Sequence, residues 1–186
     1  MSASTLLIVT GPPGSGKSTV ARRVGTQLSP SVVLDADWFW ASVVSGFISP
    51  WKVGSNEQNR ALLRAALAAA ARLTSAGYAT VLEGHFGPWH MELIREELSS
   101  LETPVSYVVL RPPLDVCLER VVGRRDEPEH RGALSDENVI RGLYAQYESL
   151  GAFEGHVLSE GAENIDDTVA ILVGEMREPG KYALTR

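Results

Sequence analysis

Residues 11–18 have the types and spacing of a loop that binds phosphate groups, and we call this segment the phosphate loop. They follow the pattern G-x-x-x-x-G-K-[ST], with Lys17 at its lysine position. The apolar run 6–9 precedes the loop and a helical stretch follows it, so the loop joins a buried strand to a helix N-terminus. Backbone N–H groups and the helix dipole attract anions at such a junction. The loop therefore predicts binding of a nucleoside triphosphate.

Each polar side chain around the end of the phosphate loop has a predicted task. We expect Lys17 to contact the terminal phosphates, Ser18 to ligate Mg²⁺ and Thr19 to help cap the following helix. The alternative is a chance match in an unrelated glycine turn, which the order of strand, loop and helix disfavours. The other residues expected to bind the nucleotide phosphates are Gly11, Gly14, Ser15 and Gly16.

Two carboxylates, Asp35 and Asp37, follow the second apolar run, residues 31–34. They lie at the carboxyl end of a predicted parallel strand, where open α/β sheets bind ligands. A carboxylate can accept the proton of a substrate hydroxyl or hold that hydroxyl in line. We assign this catalytic, substrate-contacting role to Asp37, and support of Mg²⁺ through water to Asp35. The alternative is that one of them only caps a helix starting near Trp38.

A third carboxylate, Glu83, ends the apolar stretch 80–82. A strand that ends in a carboxylate is the form of a Walker B element, which coordinates Mg²⁺ indirectly. Glu83 is therefore a candidate for both the metal and the substrate, and the sequence does not decide whether it or Asp35 is nearer the metal. His85 follows in a glycine-flanked turn, where it either touches substrate or is an exposed loop histidine.

Aromatic side chains concentrate after the second and third apolar runs, which suits a pocket that packs on a ring or a sugar face. We expect Trp38 and Trp51 to contact the substrate, although part of the set belongs to the core. Arg60, on a predicted helix over 56–76, either meets an anionic acceptor or is a surface charge, and the same holds for Arg64. The aromatic residues are Trp38, Phe39, Trp40, Phe47, Trp51 and Trp89.

Arginine must supply most of the positive charge that a reacting phosphate needs, because the chain has only three lysines. Four arginines fall within twelve residues after the fourth apolar run, in a segment broken by glycine and proline. Such a segment is typical of a hinged flap that carries phosphate-binding guanidinium groups. The alternative is a solvated loop whose arginines pair with neighbouring acids. The four are Arg120, Arg124, Arg125 and Arg131.

Short apolar and β-branched runs alternate with helical segments, which predicts an α/β fold with a parallel sheet of five strands and helices on both faces. We expect Ser55 to cap the helix over 56–76 and Gly77 to end it. The tail from Pro179 is expected to be loosely held. The five runs lie at 6–9, 31–34, 78–82, 105–110 and 156–158.

Length and composition limit the classes of protein. The chain has 186 residues, 44% of them hydrophobic, which fits a single domain over 1–186. A net charge of −6 argues against nucleic-acid or membrane-surface binding. Cys117 is the only cysteine and is expected to be a buried helix residue, so an internal disulfide is excluded. No targeting or membrane-spanning segment is evident, and we expect a cytoplasmic monomer or homodimer.

The phosphate loop, the pair Asp35 and Asp37, and the arginine cluster together resemble the small P-loop kinases. This group includes shikimate, gluconate and adenylate kinases and chloramphenicol phosphotransferases. The resemblance implies a three-layer P-loop NTPase fold with strand order 2-3-1-4-5. It further implies a substrate-binding insert over about 38–76 and an arginine-rich lid over about 123–134.

The resemblance also implies the activity, transfer of the γ-phosphoryl group of ATP, with Mg²⁺, to an acceptor hydroxyl or phosphate. In these families an arginine at the start of the lid packs on adenine, and others close over the phosphates. Arg120 matches the first position. Arg124, Arg125 or Arg131 matches the second, with Arg124 expected to bind ATP and Arg131 to act in catalysis.

The sequence leaves three functions open. The preferred one is a kinase for a small hydroxylated metabolite or drug, because Asp35 and Asp37 stand where nucleotide kinases usually carry an arginine for the acceptor phosphate. A nucleotide or nucleotide-sugar kinase is the alternative. A GTP-dependent switch or other regulatory nucleotide-binding protein is disfavoured because the chain has no N-K-x-D signature for guanine.

Overall fold

A computed structural model describes residues 5–123, 136–158 and 164–185 of the chain. Five strands form one sheet in which every paired neighbour is parallel, in the order β2-β3-β1-β4-β5. The predicted number of strands and their order are both confirmed. The strands are β1 (Leu6–Thr10), β2 (Ser31–Asp35), β3 (Ala79–Gly84), β4 (Val105–Leu110) and β5 (Val157–Leu158).

Helices connect the strands and cover both faces of the sheet, as expected for right-handed crossovers between parallel strands. Short 3₁₀ turns precede α4 and β5, at Pro88–His90 and Gly151–His156. The helices of the described residues are α1 (Lys17–Thr26), α2 (Asp37–Ala41), α3 (Asn56–Ser75), α4 (Met91–Glu97), α5 (Leu114–Gly123), α6 (Glu137–Ala145) and α7 (Ile165–Arg177).

The core has two halves, one on each face of the central strand β1, whose five residues are all buried. Leu6 and Ile8 belong to the half that contains residues of α3 and α4. Leu7 and Val9 belong to the half that contains residues of α1 and α7. Burial of each such side chain contributes roughly 1.5–3 kcal/mol relative to exposure. This packing fixes the carboxyl end of β1, from which the phosphate loop departs.

The long helix α3 ends as predicted and begins differently. Gly77, at φ +96°, follows the helix, and the N–H of Tyr78 donates to the carbonyl of Leu73 across the helix end. The prediction that Ser55 caps the start is wrong, since no side chain caps α3. The Ser55 hydroxyl instead donates to the carbonyl of Pro50, at 2.8 Å, and so holds the loop before the helix.

The C-terminal tail is tightly held, and the prediction of a loose tail is wrong. The N–H of Tyr107 donates to the carbonyl of Tyr182, and the N–H of Leu184 donates to the carbonyl of Val105. The tail therefore covers the start of β4, which the two-residue strand β5 leaves uncovered. The buried carboxylate of Glu175 accepts a hydrogen bond from the N–H of Tyr182, at 3.2 Å.

Two further expectations concern α5 and the lid segment that follows it. Cys117 is fully buried in α5, as predicted. Apart from Gly123, the last residue of α5, the lid segment expected over 123–134 lies outside the described residues, together with Arg124, Arg125 and Arg131. None of the helices described is both long and apolar enough to cross a bilayer.

Candidate functional site

The phosphate loop takes a conformation that requires glycine. Gly14 has φ +80°, in the left-handed region, and a Cβ atom there would overlap the backbone of Cys117 in α5. A Cβ atom at Gly11 would overlap the carbonyl oxygen of Leu110 at the end of β4. The loop thus lies directly against the backbone of its neighbours. Gly16 is its last residue before α1, which begins at Lys17.

The N-terminus of α1 carries no side-chain cap, so the capping role predicted for Thr19 is wrong. Thr19 lies in the first turn and is exposed. Backbone N–H groups in the first turn of a helix have no partner within the helix and are available to an anion. An uncapped start directly after a glycine loop is the arrangement that binds phosphate.

Lys17, the first residue of α1, is positioned by the loop itself. Its Nζ donates to the carbonyl of Pro12, at 3.2 Å, so the side chain folds back over the loop. Burial lowers the pKa of Lys17, and the negative charges of Glu83 and Asp37 oppose this shift. The ammonium group therefore lies near the candidate carboxylates.

Glu83 and Ser18 lie close together at the base of the loop. Glu83 is 4% exposed, and its carboxylate lies close enough to the Ser18 hydroxyl for the two to interact. Burial raises the pKa of Glu83, while this interaction and the charge of Lys17 oppose the rise. Glu83 pairs in register with Asp35 on β2, so the two strand ends bring both carboxylates to the same edge of the sheet.

The oxygen atoms at this edge fit a magnesium site of the kind that shares its ion with phosphate. Mg²⁺ keeps several waters and takes one or two carboxylates together with phosphate oxygens. Ser18, Glu83 and Asp35 supply such oxygens beside the phosphate loop. Residues 5–123, 136–158 and 164–185 contain no group of three or more His, Cys, Asp or Glu side chains that could hold a metal ion.

Asp35 and Asp37 separate into two roles. Oδ1 of Asp35 accepts a hydrogen bond from the backbone N–H of Asp37, at 2.9 Å, and so stabilises the start of α2. Asp35 precedes the N-cap residue of α2, which is Ala36 and provides no side-chain cap. Asp37 instead lines a large cleft together with Lys17. Burial raises the pKa of Asp37, the charge of Asp35 adds to the rise, and Lys17 opposes it.

The phosphate loop lies between two clefts. The first, which we call the arginine cleft, has a volume of about 390 Å³. Nη1 of Arg120 donates to the carbonyl of Gly14 at its wall, at 3.4 Å. Arg111 holds the other wall, since it bonds the Glu154 carboxylate at 2.9 and 3.0 Å and the carbonyl of Tyr147 at 2.7 Å. Residues of the loop and of α1 that line this cleft are Ser15, Gly16, Thr19 and Val20.

The second cleft, which we call the aromatic cleft, lies on the other side of the loop and has a volume of about 690 Å³. It is bounded by α2, the segment 50–56, α3, the turn after β3 and the end of α6. Lys17 and Asp37 lie at the end nearest the loop. Its aromatic and imidazole lining consists of Trp40, Trp51, His85, Phe86, Trp89 and His90.

A hydrogen-bond network fixes one wall of the aromatic cleft. The indole Nε1 of Trp40 donates to Oδ1 of Asn59, at 2.9 Å. Nδ2 of Asn59 donates to the carbonyl of Pro50, at 2.8 Å, and to the hydroxyl of Ser55, at 3.1 Å. One amide on α3 therefore holds both the tryptophan of α2 and the preceding loop in place.

A second network joins the opposite wall to the phosphate loop. The hydroxyls of Tyr147 and Thr10 hydrogen-bond at 3.0 Å, and Tyr147 Oη lies 3.3 Å from Nδ1 of His85. Burial and the charge of Lys17 lower the pKa of His85 to about 3, against the effect of a hydrogen bond with Gln146. Trp89 packs edge-on to the Tyr147 ring, with ring centroids 5.3 Å apart.

The structure brings together most, though not all, of the predicted site residues. Asp37, Lys17, Trp51 and His85 line the aromatic cleft, and Glu83 is buried beneath it. Three candidates line neither cleft. Trp38 is 63% exposed, and Arg60 is exposed as well. Arg64 forms ion pairs with Glu96 and Glu97, at 2.8 and 3.2 Å.

Sequence reasoning missed several residues of the aromatic cleft. Trp40 follows Asp37 by three residues on α2, so a helix beginning at Asp37 puts both on one face and turns Trp38 away. That spacing could have identified Trp40. No local pattern identifies Gln146 and Tyr147, because they reach the site only through packing between segments more than sixty residues apart.

Three solved structures are similar to this chain in fold. A sugar kinase from Janibacter sp. HTCC2649 is 20% identical, with a TM-score of 0.68 over 97% of this chain and 99% of the other. Shikimate kinase from Acinetobacter baumannii in complex with shikimate is 20% identical, with a TM-score of 0.54 over 95% of both chains. A chain of the Pnkp1/Rnl/Hen1 RNA repair complex is 19% identical, with a TM-score of 0.60 over 76% of this chain and 43% of the other. This chain therefore spans less than half the length of that chain.

No curated protein matches the sequence significantly. The model of one family, described as an AAA domain, matches residues 6–150, which include the phosphate loop and β1 to β4. That match covers well over half of the chain. The chain therefore belongs to the AAA domain family, with the fold of the small P-loop kinases that its sequence resembles.

Proposed function

We propose that this protein transfers the γ-phosphoryl group of ATP to a hydroxyl of a small molecule. One observation carries the proposal: Lys17 belongs to the phosphate loop and also lines the aromatic cleft, together with Asp37. A phosphate on the loop and an acceptor in the cleft then meet at the same ammonium group. Phosphoryl transfer depends mainly on positioning and on stabilising negative charge, so a shared cation at this point is what the reaction needs.

Asp37 accepts the proton of the acceptor in this proposal. The hydroxyl oxygen forms a bond to the γ-phosphorus, and the bond between that phosphorus and the bridging oxygen of ADP breaks. The hydroxyl proton passes to the Asp37 carboxylate as the new bond forms. Desolvation within the cleft and the charge of Asp35 raise the pKa of Asp37, which makes its carboxylate a stronger base than an isolated aspartate.

The arginine cleft receives the base and ribose of the nucleotide in this proposal. Its volume of about 390 Å³ is within the range of about 300–1,000 Å³ common for small-molecule pockets. Arg120 lies at its wall, and a planar guanidinium group packs well on an aromatic base. Ser15, Gly16 and Thr19 line the side of this cleft nearest the phosphates.

Ser18, Glu83 and Asp35 would hold Mg²⁺ beside the phosphate loop. The ion, when bound, neutralises charge on the phosphate oxygens. The protein would orient the ligands of the ion. Glu83 would position the Ser18 hydroxyl through the interaction between them. Asp35 stands next to Glu83 on the neighbouring strand, where it can bind a water of the ion.

Transfer of label from [γ-³²P]ATP tests the proposal. The purified protein is incubated with the labelled ATP, Mg²⁺ and a panel of polyols, sugar acids, nucleosides, nucleotides and aminoglycoside or phenicol drugs, and the products are separated. We expect label on at least one acceptor, with formation of ADP, and none with the Lys17→Ala protein. Release of inorganic phosphate at the same rate with and without every acceptor would contradict the proposal.

A further inference from the structure

The aromatic cleft offers few charges for an acceptor to pair with. Among the described residues that line it, Lys17 and Lys52 are the only lysines, Asp37 is the only acid, and no arginine is present. Lys17 already faces the phosphate loop, and Lys52 is exposed at the mouth. A carboxylate or phosphate held deep in this cleft would lack a cation, and a buried unpaired charge is costly.

Three of the described arginines that could have paired with an anionic acceptor do not line this cleft. Arg64 on α3 bonds Glu96 and Glu97, so its charge is used at the surface between α3 and α4. Arg111 bonds Glu154 at the wall of the arginine cleft. Arg60 is exposed and outside the cleft lining, so it is left as the residue whose replacement tests this point.

The lining is otherwise dominated by flat side chains. Three of the four tryptophans of the chain line this cleft, and two of them, Trp51 and Trp89, keep 48% and 46% of their surface exposed. About half of the surface of each side chain is therefore still exposed, although the Trp89 ring also packs against His85, His90 and Tyr147. Trp40 is fixed by its bond to Asn59, so at least one ring of the wall is held in place before a ligand binds.

Size and hydrogen-bonding groups narrow the ligand further. A volume of about 690 Å³ lies in the upper part of the range for drug-sized ligands. The neutral amide of Gln146 also lines the cleft and can recognise hydroxyl or carbonyl groups without requiring charge. The cleft therefore suits a ligand larger than a single sugar.

We propose that the acceptor is an uncharged alcohol of about nucleoside size that carries a flat ring, which packs against the tryptophans while its hydroxyl reaches Asp37. This inference rests on the proposed function and specifies the substrate class of the same site. Sugar acids and phosphorylated acceptors are then poorer substrates, because Lys17 is used at the phosphate loop and the exposed Lys52 is the one other lysine among the described residues that line the cleft. The ring provides affinity by stacking on the aromatic side chains of the cleft.

Pairs of acceptors in which a neutral primary hydroxyl is replaced by an anionic group test this inference. We choose uridine against uridine 5′-monophosphate, and 4-nitrophenyl glucoside against 4-nitrophenyl glucuronide. Binding is measured by calorimetry in the presence of Mg²⁺ and a non-hydrolysable ATP analogue, and transfer is measured separately with ATP. We expect the neutral member of at least one pair to bind at least about tenfold more tightly than its anionic partner, and to have the higher kcat/KM.

Two variants test the role of the ring. Trp89→Ala is expected to raise KM for the neutral acceptor about tenfold with little change in kcat, because the indole binds the ring and touches no reacting atom. Tyr78→Ala removes another exposed aromatic ring at the opposite end of β3 and is the matched control, with KM unchanged.

The binding measurement and the transfer measurement separate this inference from the proposed function. Neutral acceptors that bind to the analogue complex without receiving label would refute phosphoryl transfer and leave the ligand class supported. Tighter binding of the anionic member in both pairs, especially if lost in Arg60→Ala, would overturn the inference while transfer could still stand. Absence of binding by either neutral compound at millimolar concentration would also overturn it.

Discussion

Glu83, at the end of β3, lies in register with Asp35, at the end of β2. Burial raises the pKa of Glu83, and interaction with the Ser18 hydroxyl in the first turn of α1 opposes this rise. Asp35 uses its own carboxylate to bond the backbone of Asp37. The two acids that the sequence could not rank therefore differ in their contacts. Glu83 interacts with the residue expected to ligate the metal, and Asp35 holds the start of the helix that carries the candidate base.

Lys17→Ala is expected to lower turnover by roughly 100-fold or more, the cost of losing one preorganised contact to the transition state. The chain should still fold, because the lysine makes a single hydrogen bond to the loop carbonyl of Pro12. Steady-state kinetics measure the effect. Lys181→Ala, a change of an exposed lysine in the tail, is the control. Equal loss in both variants, or none in the first, would remove Lys17 from the chemistry.

Asp37→Asn is expected to reduce transfer by roughly 100-fold or more while ATP binding is retained, because an amide cannot accept the hydroxyl proton. Kinetics and calorimetry on the same preparation measure the two effects. Asp167→Asn, in the exposed first turn of α7, is the control and should change neither. Parallel loss of ATP binding and transfer would instead indicate that Asp37 serves the metal or the fold.

The pH dependence of kcat/KM for the acceptor follows from the same residue. Asp37 must be deprotonated to act as a base, and burial raises its pKa. The rate is therefore expected to fall on the acid side at a pH above the ordinary range of aspartate. The residual rate of Asp37→Asn should not show this acid limb. An unchanged acid limb in the variant would assign it to another group.

Gly14→Ala is expected to destabilise the protein by at least about 1–2 kcal/mol, the cost of a left-handed conformation for a residue with a Cβ. Overlap with the backbone of Cys117 adds to this cost. Urea denaturation measures the free energy of unfolding. Gly142→Ala, on the exposed surface of α6 with open space around it, is the control and should stabilise by about 0.5–1 kcal/mol. Similar stability of the two variants would contradict the loop geometry.

Two histidines of the aromatic cleft make the stability of the fold sensitive to acid. Burial lowers the pKa of His85 to about 3 and of His90 to about 4. Below pH ~6.5 the unfolded chain binds protons at these residues, whereas the folded chain does so only near pH 3–4. The free energy of unfolding that they contribute is therefore present above pH ~6.5 and is lost as the pH falls toward 4.

The comparison of wild type with His90→Gln isolates this effect from the carboxyl groups, whose raised pKa values act in the opposite direction. We expect the difference in unfolding free energy between the two proteins to shrink between pH 7 and pH 5, as measured by urea denaturation. A difference that stays constant over this range would show that His90 is not held neutral in the folded protein.

The phosphate loop and the sheet could be predicted from sequence because their signals are local. Residues 11–18 need a fixed glycine spacing, and each strand is a short apolar run between helices. The prediction that Ser55 caps α3 failed because its hydroxyl donates to the carbonyl of Pro50 instead, a partner that the local pattern does not indicate. The tail was missed because its partners on β4 are more than seventy residues away in the chain.

The acceptor side of the site was only partly predictable for the same reason. Asp37 follows from the end of β2, which is a local signal. His85 and Tyr147 meet because β3 and the end of α6 pack together, and neither neighbourhood contains a pattern that indicates the other. Trp38 and Trp40 differ in role through a helical turn of about 100° per residue, which composition does not distinguish.

The central claim is that the glycine loop between β1 and α1 binds the phosphates of a nucleotide. Isothermal titration calorimetry with Mg²⁺ and ATP tests it most directly, with circular dichroism to verify that the protein is folded. The account predicts single-site binding to the wild type, and affinity at least about tenfold weaker for Lys17→Ala, on the scale of a lost charged hydrogen bond. Folded wild-type protein that gives no heat of association with either ATP or GTP would contradict it.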